Sequence, residues 1–250
     1  MSGHSHWATI RRRKGAADAK KGQAFTKLAK EIVLAARNGG GEPDSNVSLQ
    51  LAIDRARAQN MPKDNIERAI RRGVGDDKEG IVIEEINYEG YAPHGVAMMI
   101  TCVTDNRNRT VADVRHILNR YGGSLAEAGS VSWQFVRKSY FSFPLEENDP
   151  DKIFELAVEA GADDVTFEDE QVEIVGAVDA FKSISDILHG ADIIPEDAGL
   201  RMVPTNMMDL DTSDAIQVLR VIEAMEELDD VQDVFHNLNI SEEAVAALES

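Results

Sequence analysis

A chain of 250 residues with a formal net charge of −19, 43% hydrophobic and 28% charged residues is long enough for one to three domains around a buried core. It has no apolar run near the roughly 20 residues that a membrane-spanning helix needs, and its first residues lack the apolar stretch of a secretory leader. The single cysteine, Cys102, cannot form an internal disulfide, so a reducing cytoplasm is the expected compartment.

Charge is divided unevenly. Residues 1–72 carry 15 Lys and Arg against 7 Asp and Glu, a net of +8, whereas the remainder carries 11 against 38, a net of −27. A basic head on an acidic body points to a polyanion held at one end, because the body's own field repels a phosphate backbone.

In chain order, the first periodic segment starts at Gly22. Phe25, Leu28, Ala29, Ile32 and Ala36 recur at helical spacing as one apolar stripe, with Lys20, Lys27, Lys30 and Arg37 on the opposite side. Gly39-Gly40-Gly41 ends this helix. Pro43-Asp44-Ser45-Asn46 supplies turn and cap chemistry for a second, whose inward face is Leu49, Ala52, Ile53 and Ala56. A third follows Met61-Pro62, with Asp64 as the expected N-cap, Ile66, Ala69 and Ile70 inward, and Gly73 closing it.

Past a linker at 73–77 the periodicity changes. Strands are expected at 81–88 and 96–103, a helix at about 110–121, and a strand at 131–136. A βαββαβ unit then reads as strand 140–143, helix 151–160, strands 165–167 and 172–175, helix 178–188 and strand 200–203. A strand near 207–210, a helix at 213–228 and a strand at 231–238 would complete the unit left unfinished at Val136. The expected fold class is α+β: a small N-terminal helical domain followed by two ferredoxin-like βαββαβ-type domains, one inserted in the other. The boundaries are 1–76, 77–136 with 205–250, and 137–204.

Trp7 with Arg11, Arg12, Arg13 and Lys14 sets a stackable ring among cations, as expected where a basic arm meets nucleic acid. The alternative is that Trp7 caps the helical core beside a solvated basic run. Lys20, Lys27, Lys30 and Arg37 extend the cationic surface. Arg71 and Arg72, with Arg68, either hold phosphates or complement the dipole of the third helix. Arg107 and Arg109 either hold an anion at a helix start or pair with the acidic body, while Thr110 and Asp113 are spaced like a capping box. The acidic run at 223–233 is a solvated face or a dock for a basic protein.

The six histidines are scattered, and no nucleophile–base set, metal-ligand spacing or phosphate-cradling glycine loop is present. No catalytic residue, metal or other cofactor is expected.

Several long motifs in order identify the chain, end to end, as similar to the YebC/PmpR family of bacterial regulators and its mitochondrial translational-activator relatives. They are Gly3-His4-Ser5-His6-Trp7-Ala8 leading into Ile10-Arg11-Arg12-Arg13-Lys14, then Phe25-Thr26-Lys27-Leu28, and the run from Asn60 to Ile70. Tyr88-Glu89-Gly90-Tyr91, the run from Thr104 to Thr110, and Gly129-Ser130-Val131-Ser132-Trp133 complete the set. The chain departs from the usual pattern at His6, where the family has Lys, and at Ala92-Pro93-His94-Gly95, where its turn is richer in glycine. The resemblance implies a cytosolic three-domain protein that binds DNA and regulates transcription. The mitochondrial relatives imply the alternative, a ribosome-associated translation factor contacting ribosomal or transfer RNA through the basic head. The expected partner is therefore DNA or RNA, with no membrane.

Overall fold

A computed structural model describes residues 18–75, 83–145, 148–168 and 171–249. By its internal contacts the chain divides into two compact units, Ser2–Phe135 with Pro204–Ser250, and Val136–Val203.

The first unit opens with three helices, α1 (Asp18–Gly39), α2 (Val47–Ala58) and α3 (Lys63–Gly73). Ile32, Val33 and Ala36 of α1 pack on Leu49, Ile53 and Ala56 of α2 and on Ile66 and Ala69 of α3. This core also takes in Val103 of the following sheet and Ile83, the residue just before its first strand, so the helical head closes on the start of the sheet. Asn46 builds the α1–α2 corner: its Oδ1 accepts from Leu49 N at 3.1 Å as the N-cap of α2. Its Nδ2 donates to the carbonyls of Ala35 and Gly40 at 2.8 and 2.9 Å, satisfying the end of α1.

Two local expectations are corrected. Helix α3 begins at Lys63 after Pro62, with Asp64 inside its first turn rather than at the cap; proline's fixed φ already sets the entry. Gly73 is the last helical residue of α3, with Val74 as its C-cap and the left-handed turn at Gly75 (φ 86°); what Gly73 itself provides is close approach. A Cβ there would lie 2.6 Å from both Ala36 Cβ and Val33 O, so the missing side chain lets α3 meet α1.

The same unit continues as β1 (Glu84–Tyr91), β2 (Ala97–Thr104), α4 (Arg107–Arg120) and β3 (Ser124–Leu125). After the insertion come α7 (Thr212–Glu226), β8 (Val231–His236) and α8 (Glu242–Glu249). The sheet order is β3-β1-β2-β8, with antiparallel pairing throughout. Val114 and Leu118 of α4 and Leu219 and Ile222 of α7 cover one face, packed on Met98 and Ile100 of β2. This unit arrives at a four-stranded, helix-backed sheet by pairing its first two strands as a hairpin. Cys102 on β2 is fully buried, and burial together with nearby Asp230 pushes its thiol up to about 12.

The second unit holds β4 (Phe135–Pro144), α5 (Pro150–Glu159), β5 (Ala162–Glu168), β6 (Gln171–Gly176), α6 (Phe181–Gly190) and β7 (Asp197–Pro204). Its sheet order, β5-β6-β4-β7, places the first and third strands of a βαββαβ unit at the centre. The expected strands at 131–136 and 140–143 are one continuous β4, preceded by a single 3-10 turn at Ser132–Gln134. The strand expected near 207–210 is reduced to one parallel bridge between Met208 and Leu238. Where the chain leaves for and returns from the insertion, Thr205 donates from N and Oγ1 to the Gln134 carbonyl at 2.8 and 3.0 Å. The protein is α+β, and among the described residues no helix is long and apolar enough to cross a membrane.

Candidate nucleic-acid interface

Helix α1 turns one polar face toward the first unit's own acidic segment. Gln23, Lys27 and Lys30 stand one helical turn apart on it. The Gln23 amide donates to the Glu227 carbonyl, and Lys27 Nζ donates to the Glu226 carbonyl at 2.6 Å. Lys30 Nζ donates to the Asp229 carbonyl at 2.8 Å and to Asp230 Oδ1 at 2.6 Å. The last carbonyls of a helix lack intrahelical partners and carry its negative dipole end, so ammonium groups at the end of α7 satisfy both needs. Lys27 and Lys30, expected on the side of the helix opposite its apolar stripe, join the head to the end of α7 and the segment that follows it. Arg37 likewise donates to the carbonyl of Ile83.

Asp230 is the centre of this junction. Its carboxylate accepts from Lys30, from Arg109 Nε at 3.1 Å and Nη2 at 2.8 Å, and from the hydroxyls of Thr104 at 3.1 Å and Thr110 at 2.8 Å. Burial alone would raise its pKa, but the hydrogen bonds from Lys30, Arg109 and Thr110 outweigh it and bring it down to about 2. Arg109 also pairs with Asp105 at 2.9 Å, and Arg107 pairs with Glu84 at 3.1 Å. The expected capping box at Thr110 and Asp113 is not formed. The N-cap of α4 is Asn106, whose Oδ1 accepts from Arg109 N at 3.1 Å, and Thr110 sits one turn inside with its hydroxyl turned to Asp230.

The third helix is arranged differently. Arg68 and Arg71 are exposed and Arg72 is half-buried, and all three line a cleft of about 620 Å³ between α1 and α3, bounded by Ile83 and Asp105. Phe25, Ala29 and Val33 from α1, Ala69 from α3 and Met61 from the connection before α3 give the cleft apolar walls, while Thr26 and Asn65 are polar lining residues. Trp7, Arg11, Arg12, Arg13 and Lys14 lie outside the described residues, as does the side chain of Lys20.

A second organised feature sits on the sheet. Glu89, 8% exposed, accepts from the backbone N–H groups of Gly129 at 2.8 Å, Val131 at 2.7 Å and Ser132 at 3.0 Å. Burial works to raise its pKa, yet the three N–H donors hold the carboxyl below its ordinary value. Tyr91 Oη donates to the Ser130 carbonyl at 3.1 Å, and the indole N–H of Trp133 donates to the same carbonyl at 2.9 Å. Two motifs about forty residues apart in the chain are thereby brought together, and Trp133 is left 71% exposed.

Sequence reading missed the parts played by Asp230, Glu89 and Phe25. Asp230 is one acid in an acidic run, and Glu89 follows Glu84 and Glu85 on a strand; only long-range pairing singles them out. Phe25 carries the signal of a core residue and is half-buried at the cleft instead. Among the described residues, no group of three or more His, Cys, Asp and Glu is placed to hold a metal ion.

The comparisons with known proteins agree along the whole chain. Residues 5–76 match the TACO1/YebC protein N-terminal domain, and residues 83–238 match the TACO1/YebC second and third domain. A probable transcriptional regulatory protein of Geobacter sp. strain M21 is 51% identical, with 97% of this chain and 98% of that protein covered. One of the same description from Borrelia turicatae is 49% identical over 97% of this chain and 99% of its own length. The crystal structure of a conserved hypothetical protein from Aquifex aeolicus superposes with a TM-score of 0.83 at 41% identity, covering 90% of this chain and 93% of that one. The chain belongs to the TACO1/YebC family.

Proposed function

We propose that this protein is a non-enzymatic regulator of gene expression that binds nucleic acid through its basic N-terminal domain, acting in the cytoplasm on DNA as a transcriptional regulator. The names of its relatives support regulation at the level of the family. The observation that carries nucleic-acid binding is the charge division, +8 over residues 1–72 against −27 over the rest. Lys27, Lys30 and Arg37 have internal partners, so the working cations are Arg11, Arg12, Arg13 and Lys14 of the arm with Arg68 and Arg71 of α3. Six phosphate contacts correspond to a slope of log K against log salt of about −5 on duplex DNA. The domain division at 1–76, 77–136 with 205–250, and 137–204 belongs to this reading, the acidic domains positioning the head or recruiting a basic protein.

A second reading is a ribosome-associated translation factor contacting ribosomal or transfer RNA. The feature that favours it is the concave setting of Arg68, Arg71 and Arg72 around a cleft, where a major-groove reader presents a convex helix. Crosslinking in cells, with sequencing of both DNA and RNA recovered on the protein, tests the two. Discrete promoter fragments support transcriptional action, ribosomal or transfer RNA supports the second reading, and neither removes nucleic-acid binding altogether. In vitro, replacing Arg11, Arg12 and Arg13 with Ala should flatten the salt slope by about 3.

A further inference from the structure

The cleft between α1 and α3 combines features that a simple basic patch lacks. Its volume of about 620 Å³ is that of a small-ligand site. Phe25 offers an aromatic face, continued by the aliphatic side chains of Ala29, Val33 and Ala69. Arg68 and Arg71, one turn apart and exposed, stand at its edge, and Asn65 and Thr26 also line it, the Thr26 hydroxyl donating to the Gly22 carbonyl at 3.1 Å. A helix end needs no more than one cation to complement its dipole, and a cleft serving only to close the core would not leave a phenylalanine half-buried beside two exposed arginines. An apolar slot with an aromatic residue in its wall and a guanidinium rim has the complementarity of a base joined to a phosphate.

We propose that this cleft receives a single unpaired nucleotide of a nucleic-acid strand, its base against Phe25 and the aliphatic wall and its phosphates on Arg68 and Arg71. This deepens the nucleic-acid reading and rests on it. A base stacked within a duplex cannot enter such a slot without being extruded, at a cost of unpairing and unstacking. The site therefore selects single strands, whether looped RNA or melted DNA, since a base and its phosphate are common to both.

The test uses the full chain and fluorescein-labelled 12-nucleotide oligouridine RNA, the corresponding oligothymidine DNA, and blunt duplexes of each, by fluorescence anisotropy at fixed salt. Wild type should bind a single strand at least about tenfold tighter than its duplex. A tighter RNA arm assigns the nucleotide to RNA, and a tighter DNA arm to melted DNA. Phe25→Leu keeps apolar volume but removes the stacking face. It should weaken single-strand binding about tenfold, within the range for one base on one aromatic ring, and leave the salt slope and duplex binding unchanged. Arg68→Ala with Arg71→Ala should weaken binding and flatten the slope by about 1.5 on a single strand. A measurement independent of any variant is photocrosslinking of 4-thiouridine RNA to the wild-type chain, with peptide mapping to residues 25–33 and 65–72. If wild type binds no nucleic acid, the parent reading falls and this inference with it. Retained binding with an unchanged Phe25→Leu affinity, a preference for duplex, or crosslinks only elsewhere would overturn the cleft assignment alone.

Discussion

Replacing Asp230 with Ala removes a carboxylate that meets α1, α4 and the end of β2 together. Asp230 and Lys30 have side chains only 8% and 16% exposed, so the pair is largely shielded from water. Deleting one partner of such a pair leaves a poorly solvated ammonium and costs about 3–5 kcal/mol. Two facts reduce this. Lys30 keeps the Asp229 carbonyl, and Arg109, 47% exposed, keeps Asp105. The fully buried hydroxyl of Thr104 and the nearly buried Thr110 lose an acceptor, adding about 1 kcal/mol. The expected loss is about 3 kcal/mol, with Asp230→Asn nearer 2 because an amide oxygen still accepts from one threonine. Native-state hydrogen exchange is the suitable assay, since a global unfolding curve would merge the two compact units. Amides of α1 and α4 should lose protection while those of β5 and β6, within the other unit, keep theirs. A double-mutant cycle with Lys30→Met should return a coupling of about 1–2 kcal/mol. A loss under about 1 kcal/mol, or an equal loss in β5 and β6, refutes the junction as described.

Gly73→Ala should cost about 3 kcal/mol, because its Cβ meets the Val33 carbonyl, which cannot move without displacing α1; Ala36→Gly in the same chain should recover only part of the thermal midpoint. Glu89→Ala leaves three loop N–H groups without their acceptor and should cost about 2–4 kcal/mol; in a Trp7→Phe background the fluorescence anisotropy of Trp133 should fall as its loop loosens, and an unchanged value would count against the loop's dependence on Glu89. Burial holds the imidazole of His236 at about 4, below its ordinary 6.5, so the unfolded chain takes up a proton that the folded chain refuses. The associated stability is complete above about pH 6.5 and is lost as pH falls toward 4, reaching a deficit of about 2 kcal/mol by pH 5. His236→Leu should flatten this part of the stability–pH curve, and identical curves for variant and wild type would refute it.

What could be read from the sequence was what is local. The stripe of Ile32 and Ala36, the inward face of α2 and the cap role of the 43–46 segment all follow from spacing within a few residues. β3 was not readable because two residues cannot show alternation, and α8 because eight residues rich in Ala and Glu carry little periodicity. The break expected between 136 and 140 misled because Arg137, Lys138 and Ser139 interrupt an apolar run, although β4 passes through them. Cationic residues were legible as cations but not as partners. Lys27 and Lys30 find the end of a helix some two hundred residues on, and nothing in the spacing of either segment announces the meeting.

The hydrogen bonds of Thr205 to Gln134 hold side by side the two points at which residues 136–203 depart and rejoin. A body tethered at adjacent ends can be exchanged like a cassette, because bridging so small a gap adds little loop-closure entropy. A change in the length of the guest therefore reaches the host sheet only through the 134–205 seam, which is where an added segment should be tolerated best.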